Sequence, residues 1–168
     1  MEYWDLLDDD RRLTGETLLR GEAMPEGRFH TIIGVWTIHT KLHRILLTKR
    51  HPDKLICPNQ WENTGGSLVS GEESRSGAAR EVREETGMNC HADDLHYIKT
   101  IRIPSAFVDC YIYYTDIPAD SSVLQDGETV DWQWTTLEGI EALIQEGTFA
   151  LPEVEQFNAC LLYTSPRP

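Results

Sequence analysis

The segment of residues 66–88 constrains the fold of this chain more than any other part of the sequence. Within it, residues 74–86 are predicted to form a helix. Gly87 then ends the helix, because glycine readily adopts the left-handed conformation that follows a last helical turn. Two residues compete as the cap at its start: Ser70 has the spacing of a capping box, and Ser74 is an alternative N-cap.

Three acidic residues of this helix are predicted to share one face. Glu81, Glu84 and Glu85 stand at positions i, i+3 and i+4, so their carboxylates lie within one turn of each other. Like charges at this spacing destabilise a helix, and something must offset their repulsion. Water with Arg80 or Arg83 offers one solution. A hard divalent cation such as Mg²⁺ or Mn²⁺, which prefers carboxylate oxygens, offers a better one.

The whole segment resembles the signature of the Nudix hydrolases at every defined position: Gly66-x5-Glu72-x7-Arg80-Glu81-Val82-x-Glu84-Glu85-x-Gly87-Met88. Seven of these positions demand one residue type, and a chance match at a given start is on the order of 10⁻⁸. Further family landmarks are the strand at 31–40, the strand end at 46–50 and the segment at 128–138. The resemblance therefore covers about residues 29–145.

The resemblance implies an α/β/α sandwich around a mixed β-sheet, with the site on a loop–helix–loop segment. It implies Mg²⁺-dependent hydrolysis of a diphosphate linkage in a nucleoside diphosphate attached to a group X, with Mn²⁺ as a substitute metal. By resemblance, Glu84 and Glu85 are the main metal ligands, and the Gly65 carbonyl also faces the metal. Glu81 is either a ligand or the general base, because a carboxylate among other carboxylates and metals has no simple pKa of its own.

Other residues of the signature are expected to support the site. Arg80 and Glu72 are predicted to form an ion pair that fixes the loop against the helix. Gly66 and Gly87 are expected to serve the backbone geometry at the two ends of the segment.

A further carboxylate is expected from a later loop. Glu128 lies six residues before Trp134, where Nudix enzymes often add a distal glutamate, and it is predicted to act as a metal ligand or base. Asp126 and Asp131 are rivals for this role.

Substrate-binding candidates lie just before the signature. Lys49 and Arg50 stand at the end of a predicted strand, from which they either reach substrate phosphates or stay solvated. Trp61, in the loop ahead of the signature, is a candidate for shaping the site. Other aromatic residues are expected to lie mostly in the core.

The spacing of hydrophobic residues and the composition along the chain predict a single α/β domain. The first 28 residues read as an extension of one short strand plus loops, residues 29–168 as the Nudix domain, and residues 50–70 as mostly loop. Strands are predicted at 3–7, 29–40, 45–49, 95–103, 107–115 and 130–134, and later helices at 137–145 and 153–162.

The net charge of −13, from 28 acidic and 15 basic residues, opposes binding to a nucleic acid polymer or an anionic membrane. The acidic N-terminus has no apolar signal core, and the four cysteines show no Cys-x-x-Cys pair. Reduced thiols and a cytoplasmic location are therefore expected. A homodimer is the default assembly, because two-fold dimers are the commonest closed form.

Two alternatives remain open at this point. Residues 3–27 also resemble a subgroup related to type I isopentenyl diphosphate isomerases, but the Cys-x-His of those enzymes is replaced here by Gly65-Gly66-Ser67, and Cys57 lies eight residues earlier. A non-catalytic nucleotide-binding domain of the same fold is the second alternative, although such domains usually lose the glutamates that this chain keeps. The group X stays undetermined, since loops outside the signature select it.

Overall fold

The computed structural model describes residues 1–118, 124 and 127–162. Its strands are β1 Tyr3–Leu7, β2 Leu13–Leu19, β3 His30–His39, β4 Arg44–Arg50, β5 Trp61–Glu62, β6 Thr64–Ser67, β7 Leu95–Ile103, β8 Ala106–Thr115 and β9 Thr129–Thr135. Its helices are α1 Ser74–Thr86, α2 Leu137–Gln145 and α3 Leu151–Phe157. Across the described ranges, none of the helices has the length and apolar character needed to cross a membrane.

Seven strands form one mixed sheet in the order β5-β4-β3-β8-β7, with β6 beside β3 and β9 beside β4. Strand β3 is parallel to β8, and the other pairs are antiparallel. On the side of β3 that faces away from β8, residues 38–39 pair with β4 and residues 32–35 pair with β6. Because β4 and β6 occupy different ends of β3, a cavity lined by both opens on this side.

Two apolar cores cover the two faces of the sheet, as alternation along the strands requires. On one face, Ala78, Ala79 and Val82 of α1 pack with Ile33 and Val35 of β3. The other face carries a second cluster that includes Trp36, Leu47, Ile140, Phe149 and Phe157. The predicted α/β/α sandwich around a mixed sheet is therefore confirmed.

The N-terminal hairpin, made of β1 and β2, is a separate two-stranded sheet that packs on the domain. The prediction of one strand plus loops was wrong here, because β2 is polar, mostly exposed and contains Gly15 at φ 82°. Leu7 and Phe29 exchange two backbone hydrogen bonds of 2.7 and 3.0 Å. The ring of Trp4 stacks on His30 at 4.2 Å between centroids. The division at residue 28 stays a prediction, and residues 163–168 lie outside the described part.

Residues 50–70 are mostly loop, as predicted, although they also contain the short strands β5 and β6. Two local predictions need correction. Helix α3 begins at Leu151 rather than at residue 153, because proline is tolerated in a first helical turn, and a π-helical turn over Asn158–Leu162 follows it. Neither Ser70 nor Ser74 caps α1: the residue before the helix is Glu73.

Candidate active site

Helix α1 has the predicted bounds and is held tightly against the loop before it. Gly87 follows the helix at φ 70°, and its N–H donates to the Arg83 carbonyl at 3.0 Å. Gly77 is buried, and a Cβ atom there would lie 2.2 Å from Leu68 Cδ2. Gly77 therefore allows close packing of the helix against the loop, at the cost of intrinsic helix propensity.

Arg80 links the three outer carboxylates of the signature. Its guanidinium donates two parallel bonds to Glu72, from Nε at 2.8 Å and from Nη2 at 2.9 Å. Its Nη1 donates to Glu81 Oε1 at 2.7 Å and to Glu84 Oε2 at 3.0 Å. The predicted ion pair between Arg80 and Glu72 is confirmed, and the same cation also offsets the repulsion between Glu81 and Glu84.

Glu85 is the most deeply placed carboxylate of the helix, with 7% of its surface exposed. Burial raises its pKa well above the usual value, the nearby carboxylates of Glu62, Glu81 and Glu128 add to the rise, and a backbone hydrogen bond at Gly65 opposes it. Within the described residues, its Oε2 atom is buried without a hydrogen-bond donor. A carboxylate in this state is costly unless a cation or a proton compensates it.

A cavity of about 280 Å³ adjoins Glu85. Four carboxylates line it, and three basic side chains accompany them: Glu62, Glu85, Glu128 and Glu153 with Arg20, Arg50 and Lys54. Arg50 Nη1 lies 2.7 Å from Glu62 Oε2, and Lys54 pairs with Glu128. The predicted residues Gly65, Gly66, Glu85, Glu128 and Arg50 therefore come together in one wall.

Two other carboxylates of the cavity lining, Glu62 and Glu153, also hold protons more firmly than usual. Burial, followed by the charge of Glu62, raises the pKa of Glu153 to about 8. Burial likewise raises the pKa of Glu62, against the lowering effect of Arg50 and Lys54. The basic side chains thus compensate the acidic ones only in part, and the cavity favours an additional cation.

Some predicted residues lie elsewhere. Glu81 and Glu84 turn towards Arg80 and are not part of the cavity lining, as far as the described residues define it. Glu81 lies against Gly66 of the lining, and Glu84 is exposed. Lys49 and Trp61 are also outside this lining and contact each other, with Lys49 Nζ 5.5 Å from the centre of the Trp61 ring.

The rivals of Glu128 do not join the cavity lining in the part of the chain that is described. Asp131 lies in β9 and is exposed, and its Oδ1 accepts the backbone N–H of Trp132 at 2.8 Å. Asp126 lies outside the described residues.

Sequence reasoning missed Glu62, Glu153, Arg20 and Lys54. Each is a single charged residue in a separate part of the chain, and only the folded sheet, hairpin and helix α3 bring them to one cavity. The raised pKa values of the two glutamates mark them as members of the site, but this effect exists only after folding.

The residues present suit a hard divalent cation by their chemistry. Carboxylate oxygens are the donors that Mg²⁺ and Mn²⁺ prefer, and the buried Glu85 Oε2 lacks a partner among the described residues. In the arrangement described, no three potential ligands already surround one point. The Arg80 bonds to Glu81 and Glu84 explain this, because they turn both carboxylates towards the guanidinium.

The fold is that of a Nudix domain, and the family model described as "NUDIX domain" matches residues 28–156. The chain therefore belongs to the Nudix hydrolase family, and its class is that of the Nudix pyrophosphohydrolases.

Two similar relatives are uncharacterised Nudix hydrolases of Listeria innocua and Listeria monocytogenes. Each is 35% identical over 150 residues, which span 89% of this chain and 88% of the relative. The crystal structure of DR0079 from Deinococcus radiodurans has a TM-score of 0.77 at 22% identity, and the match covers 95% of this chain and 99% of that one.

A bifunctional NMN adenylyltransferase/ADP ribose pyrophosphatase from Francisella tularensis has a TM-score of 0.68 at 16% identity, with 87% of this chain and 43% of that chain covered. At these identities, the structural likenesses show the shared fold. Both the relatives and DR0079 match more of this chain than residues 28–156, so the likeness extends beyond the family model.

Proposed function

We propose that this protein is a Mg²⁺-dependent hydrolase that cleaves the diphosphate linkage of a nucleoside diphosphate attached to a group X. The observation that carries the proposal is the unpartnered carboxylate oxygen of Glu85, buried beside a cavity that basic side chains also line. A diphosphate brings negative charge to this cavity, and it binds there only if its charge is compensated. The proposed cation and the basic residues provide that compensation.

Each charged group has a distinct task in this proposal. Glu84 and Glu85 hold the cation. The basic side chains of the lining, Arg20, Arg50 and Lys54, bind and orient phosphate oxygens. A bound Mg²⁺ supplies charge neutralisation at the phosphates and lowers the pKa of water near it. Glu81 or Glu128 accepts the proton of the attacking water, and either role requires a carboxylate beside the cavity.

The supporting residues act through geometry. The two parallel bonds from Arg80 to Glu72 hold the loop 68–73 against the helix. Lys49 and Trp61 contact each other outside the cavity lining. Lys49 stays a predicted contact to substrate phosphates, and Trp61 stays a predicted residue that shapes the site. Mn²⁺ is the expected substitute for Mg²⁺, because it prefers the same ligands.

The test is a panel of diphosphate compounds with and without Mg²⁺, followed by phosphorus NMR of the products. The panel contains nucleoside diphosphates and triphosphates, dinucleotides, nucleotide sugars and ADP-ribose, the last because one structural neighbour is an ADP ribose pyrophosphatase by name. We expect Mg²⁺-dependent release of a monophosphate or phosphate from one class. Tight binding of a nucleotide without any turnover would instead favour a non-catalytic binding domain.

Isomerisation of isopentenyl diphosphate is the second candidate, because one structural observation favours it. Cys57 lines the same cavity as Glu128, so a thiol and a carboxylate are both present. The panel therefore includes isopentenyl diphosphate with an assay for its isomer. Conversion that Cys57→Ser abolishes, together with no hydrolysis in the rest of the panel, would replace the hydrolase proposal by this one.

The remaining expectations are part of the same proposal. A small-molecule diphosphate, rather than a nucleic acid polymer or a membrane, is the expected partner, in keeping with the acidic net charge of −13. The four cysteines lie within the described residues and are not joined in disulfides, which supports the expected cytoplasmic location. The homodimer stays a prediction.

A further inference from the structure

The N-terminal hairpin contacts the chain just before helix α1. The Asp5 carboxylate of β1 accepts the Ser70 hydroxyl at 2.5 Å and the Gly71 N–H at 2.8 Å. The carbonyl of Tyr3 accepts the Ser70 N–H at 2.7 Å. Three hydrogen bonds from one strand therefore hold two consecutive residues of the loop that leads into the helix.

A second contact reaches the first residue of the helix itself. Asp109 of β8 is 2% exposed, and its Oδ2 accepts the Ser74 hydroxyl at 2.5 Å. Arg11, in the turn of the hairpin, donates to the same Oδ2 at 2.5 Å and compensates the buried charge. Thr100 donates to the other oxygen at 2.6 Å. The hairpin therefore completes a buried network that ends on Ser74.

These contacts replace a local cap. Helix α1 starts after Glu73, whose side chain makes no capping hydrogen bond in the described part of the chain. The Ser74 hydroxyl is bonded to Asp109 and lies 2.9 Å from Tyr111 Oη, so its bonds go to the sheet. The start of the helix is thus fixed by tertiary contacts. The hairpin supplies three hydrogen bonds to residues 70–71 and, through Arg11, a bond to Asp109.

The position of this helix start matters for the site. Glu81, Glu84 and Glu85 follow two to three turns later on the same rigid helix. At the other end of the loop, Gly66 lies against the Glu81 carboxylate. A small tilt at residue 74 would therefore displace these carboxylates relative to the cavity, and a misplacement of about 1 Å can cost a reaction roughly a hundredfold in rate.

We propose that the N-terminal hairpin is a positioning element of the active site, which acts through Asp5 and Arg11 on residues 70–74. It sets where the carboxylates of α1 stand relative to β6. The inference rests on the proposed function, because its consequence for rate requires the α1 carboxylates to hold a metal. Asp5, Arg11 and Ser74 are positioning residues, not catalytic ones.

The experiment uses the full chain and the variants Asp5→Ala and Ser74→Ala, with the nucleotide identified by the panel as substrate. Mn²⁺ affinity without substrate, measured by electron paramagnetic resonance, provides a readout separate from activity. We expect kcat to fall at least tenfold at a temperature far below the unfolding midpoint, with KM changed less than threefold and Mn²⁺ bound several-fold more weakly. Asp5→Asn, which keeps one acceptor oxygen, should recover part of the loss.

Asp10→Ala is the matched control, because Asp10 lies in the same hairpin and pairs with Arg12 in solvent. It should match the wild type in every readout. The inference would be overturned if Asp5→Ala and Ser74→Ala lowered the unfolding midpoint but kept kcat and Mn²⁺ affinity within twofold of the wild type. The hairpin would then only stabilise the fold. A wild type that neither binds Mn²⁺ nor hydrolyses any panel compound would overturn the proposed function first and this inference with it.

Discussion

The carboxylate of Glu81 lies against the backbone of Gly66: a Cβ atom on Gly66 would be 2.4 Å from Glu81 Oε1 and 2.5 Å from its carboxyl carbon. Real Cβ atoms do not approach other atoms this closely. Residue 66 must therefore be glycine to leave room for the Glu81 carboxylate. This explains physically why the two residues occur together in the signature.

We expect Gly66→Ala to displace the Glu81 carboxylate, to destabilise the fold by about 1–3 kcal/mol and to lower turnover by at least tenfold. Thermal unfolding and steady-state kinetics measure the two effects. In the Glu81→Ala background, where the clash is gone, Gly66→Ala should cost much less stability. If Gly66→Ala lowered stability equally in the wild-type and Glu81→Ala backgrounds, a clash with Glu81 would not be the cause of the loss.

The Glu85 carboxylate should lower the stability of the metal-free protein and be required for turnover. Glu85→Gln removes a buried charge from the neighbourhood of Glu62, Glu81 and Glu128. In the presence of a chelator at pH 8, we expect it to raise the free energy of unfolding by about 1 kcal/mol, while turnover with Mg²⁺ falls on the order of 10²–10³-fold. Calorimetry and the hydrolysis assay test the pair of effects.

The control for this variant is Glu73→Gln, an exposed glutamate just before the same helix. It should change neither stability nor turnover appreciably. A Glu85→Gln protein that is less stable than the wild type in chelator would mean that the buried carboxylate is already compensated within the protein.

Arg20 should contribute to substrate affinity. Of the three basic side chains that line the cavity in the described structure, Arg50 and Lys54 pair with carboxylates of the same lining, whereas Arg20 pairs with Glu2 outside it. We expect Arg20→Gln to raise KM about tenfold with little change in kcat, because a charged hydrogen bond to a phosphate contributes about 1.5–3 kcal/mol.

Glu2→Gln separates this role from a structural one, because it breaks the same ion pair and keeps the Arg20 charge. It should leave KM unchanged or lower it, and Arg12→Gln, an exposed arginine of the same hairpin, should have no effect. If Glu2→Gln raises KM as much as Arg20→Gln does, the ion pair rather than the arginine charge is responsible.

Burial of His30 should make stability depend on pH. Desolvation lowers the pKa of His30 from 6.5 to about 4, so the folded protein keeps this side chain neutral. Between these values the unfolded chain binds a proton that the folded one does not, so stability is complete above pH 6.5 and decreases as the pH falls towards 4. The loss amounts to at most about 3 kcal/mol.

Urea denaturation at several pH values measures this effect. His30→Gln should flatten the stability profile between pH 6.5 and 4, and His43→Gln, at an exposed position, should not. Because His30 stacks on Trp4, the fluorescence of the folded hairpin should change near pH 4, where the folded protein takes up this proton. An unchanged slope in His30→Gln would contradict the assignment.

Local signals in the sequence predicted helix α1, whereas features that depend on contacts between distant residues were not predicted. Residues 74–86 were predicted with the observed bounds, because the spacing of the apolar residues and Gly87 at the end are local features. The cap was mispredicted since Ser74 bonds to Asp109, a residue 35 positions away. The residues around Ser74 in the sequence contain no pattern that predicts such a bond.

In the candidate site, too, contacts within one sequence motif were predicted and contacts between distant residues were not. The signature predicted the ion pair of Arg80 with Glu72, because both residues belong to one contiguous motif. Glu62 and Glu153 were missed since each is a single glutamate whose importance comes from burial in the same cavity. Strand β2 was missed because its polar, exposed sequence is stabilised by pairing with β1.

The most direct test of the central claim is turnover of the panel substrate as a function of Mg²⁺ concentration, for the wild type and Glu84→Gln in parallel. We expect no turnover by the wild type in chelator, saturation as Mg²⁺ is added, and a loss of at least a hundredfold in Glu84→Gln with its unfolding midpoint retained. Equal turnover by the two proteins, or turnover by the wild type that persists in chelator, would contradict the claim that the carboxylates of helix α1 hold a metal on which hydrolysis depends.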